Sequence, residues 1–235
     1  MNRISMERSG FGEDNIIERI EASGLRYNTK ISKPENCEVV IVTHDGVQRM
    51  KNLDGNLLNP KKKSLFGGSK MDSNDYIVFF MDTAFHDASW GGNVQYIDNR
   101  VGGIQEKVNI RAAFSFKIDR GDRALSLLSE TKSRYSKRYL VDKLRLKIDN
   151  TIKACVCQTL MERGFIDTQQ DILGISERAQ EKLNQDILSS FGMVMSNLNI
   201  ILEEDLDHAT QRGELEWNAI REKDKDKDDE MGDDK

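Results

Sequence analysis

"SWGGNVQYIDNRVGGIQEKVNIRAAFSFKID" (residues 89–119) alternates polar and apolar side chains and is broken by two Gly-Gly pairs. From Val108 through Ile110, Ala112, Phe114 and Phe116 to Ile118, every second residue is apolar, with Asn109, Arg111, Ser115 and Lys117 between them. A period of two sends one row of side chains to a core and the other to water, as in an antiparallel strand with one wet face. Glycine pairs also cradle phosphates, but only between a strand and a helix whose N-terminus meets the anion. Gly91-Gly92 and Gly102-Gly103 lie between strand-like stretches, and Gly67-Gly68-Ser69-Lys70 lacks the P-loop spacing. Both pairs in the quoted stretch are therefore expected to be hairpin turns in a meander.

Working outward, "YIVFFMDTAFHD" (76–87) reads as a strand ending at Trp90-Gly91-Gly92. "CEVVIVTHDGVQRM" (37–50) reads as a buried strand, an Asp45-Gly46 turn and a return strand. "EDNIIERIEAS" (13–23) places Ile16, Ile17 and Ile20 on one helical face and predicts a short amphipathic helix. After Asp119 the period lengthens to 3.6. "GDRALSLLSE" (121–130) predicts a short helix, and residues 139–164 and 168–192 predict two longer ones. Gly164 and Gly192 suit left-handed C-caps for them. "MVMSNLNIILEED" (193–205) returns to alternation as a final strand, and residues 205–221 predict a last helix. Strands first and helices after argue for an α+β fold, an antiparallel sheet with packed helices, over a βαβ repeat.

The expected organisation is an N-terminal segment over 1–34, a main domain over 35–203, a helical extension over 204–221 and a disordered acidic tail over 222–235. The net charge of −5 sits almost entirely in that tail, whose eight acids and four lysines contribute −4. Residues 132–147 run the other way, with seven basic groups and one Asp. The apolar runs are too short for a spanning helix, and the N-terminus is too charged for a signal peptide. Three cysteines make no disulfide framework and suit a reducing compartment. A cytoplasmic protein is expected, peripheral to a membrane at most.

No residue pattern points to chemistry. His44, His86 and His208 stand in separate elements without a second ligand at chelating spacing. Cys155 and Cys157 diverge by about 200° around a helix. Glu203, Glu204, Asp205 and Asp207 complement a helix N-terminus more simply than they form a catalytic dyad. The expectation is a protein that is not an enzyme and takes no cofactor and no metal.

Three surfaces are candidates for contact. Phe11, Ile16, Ile17 and Ile20, with Lys61, Lys62, Lys63 and Lys70, form a candidate membrane face, against the alternative that the helix docks on the protein body. Lys132, Arg134, Lys137, Arg138 and Lys143, interleaved with Tyr135 and Tyr139, form a candidate anionic-partner surface, against the alternative of a solvated helix start. Because the whole chain is acidic, nucleic acid is disfavoured as that partner. Trp217 and Ile220 are candidate oligomer contacts, or core residues of the last helix.

"FGGSKMDSNDYIVFFMDTAFHDASWGG" (66–92), "VNIRAAFSFKID" (108–119) and "FGMVMSNLNIILEEDLDHATQRGEL" (191–215), in that order, resemble the SPFH (Band 7, prohibitin-homology) superfamily in its soluble, virion-core-protein-like branch. Phe66-Gly67-Gly68, Trp90-Gly91, Phe191-Gly192 and Asn197–Asn199 stand where that branch carries its motifs. The likeness covers about residues 35–215. It implies an SPFH-like domain and a non-enzymatic homo-oligomer scaffolding membrane or membrane-protein partners. The alternative from the residues alone is a soluble adaptor or structural subunit that binds protein or nucleic acid through 132–147.

Overall fold

A computed structural model describes residues 3–5, 11–12, 14–22, 30–43, 46–50, 76–98 and 104–204. The fold is α+β. In chain order the elements are β1 (Arg3–Ser5), β2 (Asn15–Ala22), β3 (Lys30–Ser32), β4 (Cys37–Thr43), β5 (Gly46–Met50), β6 (Tyr76–Asp82), β7 (His86–Asp98) and β8 (Ile104–Ile118). There follow α1 (Gly121–Ala124), β9 (Arg134–Ser136), α2 (Lys137–Gln170), α3 (Ile172–Lys182) and β10 (Met193–Glu204). The chain divides into two compact units, one of residues 1–88, 114–147 and 182–197, the other of the remainder.

The first unit is built on a five-stranded sheet in the order β5-β4-β6-β2-β9, antiparallel at every pairing. At its centre, β4 and β6 pair with Val39 opposite Phe80 and Val40 opposite Phe79. Both strands are apolar runs buried on both faces, so neither alternates. On one face Cys37, Val39, Ile41, Val78 and Phe80 form a cluster with Phe11 and Ile31, against which Ile20 packs. On the other, α1 begins so close to the sheet that a Cβ on Gly121 would stand 2.7 Å from Met81 Sδ and from Val40 Cγ2. A separate two-stranded ladder pairs β1 with β3 in parallel.

The second sheet runs in the order β10-β8-β7. Side chains joined across β7 and β8, Asp87 to Ser115 and Gln95 to Gln105, ascend one strand while descending the other, so the pair is antiparallel. In the second unit one face buries Val94, Tyr96, Val108, Ile110, Leu198 and Ile200, and α2 and α3 bury Ile148, Ile152, Val156, Leu160, Ile175 and Ala179. The alternation expected of residues 108–118 is met at every position.

Helix α2 breaks at Gly164, whose φ of 72° and ψ of −176° interrupt the helical run. After α3 the chain widens through a π turn over Leu183–Ile187 and then tightens through a 3₁₀ turn over Leu188–Phe191. Gly192 then caps with φ 62° and ψ 32°, the left-handed geometry expected of it. Its carbonyl accepts from both Asp119 N and Arg120 N at 2.9 Å. An added Cβ would lie 2.1 Å from Arg120 O, so glycine is required there twice over.

Two expectations are corrected. Residues 13–23 do not make an amphipathic helix: Asn15–Ala22 is strand β2, held between β6 and β9. Three isoleucines without clean alternation fit either period, and the pairing with distant β6 decides the outcome. The boundary at residue 34 therefore cuts through a single sheet. Gly91-Gly92 is not a hairpin turn either, because β7 runs through it without a break. Its smallness serves packing: a Cβ on Gly92 would fall 2.5 Å from the Trp90 ring. The second pair, Gly102-Gly103, lies outside the described residues, as do the expected helix over 205–221 and the acidic tail. Replacing Ile17, fully buried opposite Met81 and Tyr135, by Ala is expected to cost about 2–5 kcal/mol in urea unfolding; a loss within about 0.5 kcal/mol is the behaviour of a surface residue.

Candidate functional site

The most polar concentration in the first unit begins at Glu38, an acid buried to 2 % exposure in the middle of the β4 ladder. Alternation along β4 turns Glu38 to the same face as Val40, towards α1. There Oε1 accepts from Arg49 Nε of neighbouring β5, and Oε2 accepts from Gly121 N at 2.9 Å. Arg49 also donates to Asp119 O at 3.0 Å and lies 3.2 Å from Asp122 Oδ1. The hydrogen bond to Glu38, opposed by burial and helped by the carboxylates around it, holds the Arg49 guanidinium above its usual range. Burial works to raise Asp122, but Arg120 at 3.0 Å and Arg49 outweigh it and hold the carboxyl below its ordinary value. The cluster ties β4 and β5 to the loop that starts α1.

Beside it lies a polar cleft of about 410 Å³ lined by Lys33, Asn36, Cys37, Thr83, Lys117 and Asp119, among others. Burial pushes the Cys37 thiol up to about 12, so it is a protonated core group and no nucleophile. Lys33 Nζ donates to Cys37 O, and the Lys117 ammonium sits 5.0 Å above the Phe85 ring. Each of these two cations is engaged by its own surroundings.

His86 opens β7 with its ring 6.1 Å from that of Phe116 and Nε2 3.5 Å from Asp82 Oδ2. Burial lowers its pKa; Asp82 and Asp87 oppose that and Lys137 reinforces it, for a net lowering from 6.5. Ser115 donates to Asp87 Oδ1 at 2.7 Å, and along β7 Asp87 turns to the opposite face from His86. Among the described residues no group of His, Cys, Asp and Glu is placed to hold a metal ion.

The candidate surfaces fare differently. Phe11, Ile16 and Ile17 are 4 %, 1 % and 0 % exposed and Ile20 is half-buried, so the candidate membrane face of the N-terminal segment is interior. The alternative, docking on the protein body, describes their packing, though as a strand. Lys61, Lys62, Lys63 and Lys70, and Trp217 and Ile220, lie outside the described residues. In 132–147, Tyr135 is buried and its hydroxyl donates to Glu130 O. Lys132 pairs with Glu130 at 2.6 Å, Lys137 with Asp14 at 3.5 Å, and Arg134 and Arg138 with Glu18 and Asp142 at 3.8 Å. Lys143 donates to Ser129 Oγ at 2.7 Å and, with Lys132, brackets the Tyr139 ring. Two of these cations, Arg134 and Lys137, are answered by acids brought in from β2 and its approach. That arrangement is invisible in the linear segment.

Glu38 and Arg49 were not singled out by pattern. The available signal was a lone acid inside an apolar strand, which demands a partner. No helix among the described residues is long and apolar enough to cross a membrane. No protein-family model matches the chain, and no curated protein matches it.

Arg49→Met leaves Glu38 buried without its counter-charge and is expected to destabilise by about 3–5 kcal/mol, read from urea midpoints. For His86 the folded pKa is below the unfolded one, so its contribution is complete above 6.5 and declines as pH falls through that value. Acidification across 6.5 is thus expected to lower the urea midpoint of the native chain more than that of His86→Gln.

Proposed function

We propose that the chain is a non-enzymatic, SPFH-like assembly module that forms homo-oligomers and scaffolds membrane or membrane-protein partners from the cytoplasmic side. The observation that carries this reading is the open face of the second unit's sheet. Its outward positions include Asn93, Gln95 and Ile97 on β7, Arg111 on β8 and Asn199 and Ile201 on β10. Ile97 and Ile201 are 51 % and 52 % exposed on the two edge strands, either side of an Arg111 that is 71 % exposed. Amides and flanking isoleucines around an Arg111 that pairs with Glu203 at 3.1 Å favour another protein surface over water or phosphate, and a second copy presents the same surface to it.

With Phe11, Ile16 and Ile17 in the core, membrane association rests on avidity among copies, since one basic residue near an anionic surface supplies only ~1 kcal/mol. The adaptor reading through 132–147 draws less support, because four of its seven cations are answered by Glu18, Asp14, Glu130 and Asp142.

Light scattering on the size-fractionated full chain tests the proposal. The expected mass is a defined multiple of the protomer that Ile97→Arg with Ile201→Arg reduces, with the intact assembly floating on anionic liposomes. A monomer at every concentration that ignores those liposomes in low salt overturns it.

A further inference from the structure

β10 is an edge strand. It pairs with β8 on one side, and among the described residues no strand pairs with the other. An open edge is a template for any second strand with matching hydrogen-bonding groups. Its "LNIIL" run (198–202) is uncharged, apolar but for Asn199, and carries two β-branched isoleucines, the composition that makes such pairing hazardous.

The edge is nevertheless occupied. Amides that β8 does not take are taken by side chains of α3 and the π turn after it. Ile200 N donates to Ser176 Oγ at 3.2 Å and Leu198 N to Gln180 Oε1 at 3.0 Å, both within the second unit. Met195 N donates to Asn184 Oδ1 at 2.8 Å, and Asn184 Nδ2 returns a bond to Met195 O at 2.9 Å, within the first. That reciprocal pair reproduces the donor and acceptor of one rung of an antiparallel ladder. Ser176, Gln180 and Asn184 are spaced by four, the interval that stacks side chains along one helical face. The strand adapts to them. Asn197 has a φ of 55°, and the buried positions shift there from Met193 and Met195 to Leu198, Ile200 and Leu202. The bonded amides belong to Met195, Leu198 and Ile200, so they change phase with the buried side chains.

We propose that Ser176, Gln180 and Asn184 are an edge guard, a row of helix side chains standing in for a strand and barring β10 of a second copy from pairing there. The second copy is the occupant because two β10 edges are self-complementary about a two-fold axis. Assembly through the open sheet face is a separate contact, and the guard keeps that assembly from continuing edge to edge.

The test uses the full chain with Ser176→Ala, Gln180→Met and Asn184→Leu combined, each variant compared with wild type whatever mass the native assembly has. In wild type, backbone amide exchange at Met195, Leu198 and Ile200 is expected to be slow. In the triple variant it accelerates, and species heavier than the wild-type assembly appear and grow with concentration. Two single variants cover a triple variant that fails to fold. Gln180→Met is expected to speed exchange at Leu198 by about tenfold, the loss of one hydrogen bond, while Gln180→Glu keeps an acceptor oxygen and the protection. Free-amide exchange rates in wild type, identical behaviour of the two Gln180 variants, or a natively folded triple variant with wild-type mass at every concentration each overturns the proposal.

Discussion

The pairing of β4 with β6 is the constraint from which the first unit follows. Both strands are covered on both faces, so their amides and carbonyls have no access to water and every one must be answered along the ladder. That requirement fixes the register, because a slip by one residue would exchange the Val39 and Phe80 face for the Val40 and Phe79 face. It also recruits β2. A strand lying beyond β6 satisfies the outer edge of the pair, and β9 then satisfies β2. What looks locally like an amphipathic helix is drawn into a sheet by unmet hydrogen bonds elsewhere in the chain.

One polar residue in that apolar pair organises a further part of the fold. A carboxyl group buried in the core needs donors close by, and at Glu38 two arrive from different directions, a guanidinium along β5 and a backbone amide at the start of α1. Gly121 fits because it has no side chain to hold the amide away from the carboxylate. The turn from β8 into α1 is thereby located by charge as well as by packing, and Asp122 completes the neutralisation of Arg49. Such a cluster lends specificity to the packing of an otherwise uniform apolar face.

The parts of this fold legible in the sequence are those governed by local periodicity. Residues 108–118 alternate because one face is wet, and α2 and the segment after it repeat at helical spacing because one stripe is buried. Gly192 announced a left-handed cap because few other residues accept one. Long-range effects were not legible. Ile16 and Ile17 take their conformation from β6, and Gly92 is small because Trp90 folds over it, not because the chain reverses. Two of the four acids that answer the basic segment, Asp14 and Glu18, come from distant stretches, so its linear charge overstated its surface charge. Ser176, Gln180 and Asn184 look like ordinary solvated helix positions beside the apolar line Ile175, Ala179 and Leu183; only the neighbouring strand gives them a role.

The left-handed residue at position 197 makes β10 two half-strands of opposite parity spliced end to end. Met195 and Leu198 are three residues apart, so a regular strand would send them to opposite sides, and the backward twist at Asn197 is what keeps both inside. The restriction on this stretch therefore falls on backbone shape: position 197 is held to the few residues that tolerate a positive φ, and a β-branched side chain there would set the two halves of the strand against each other.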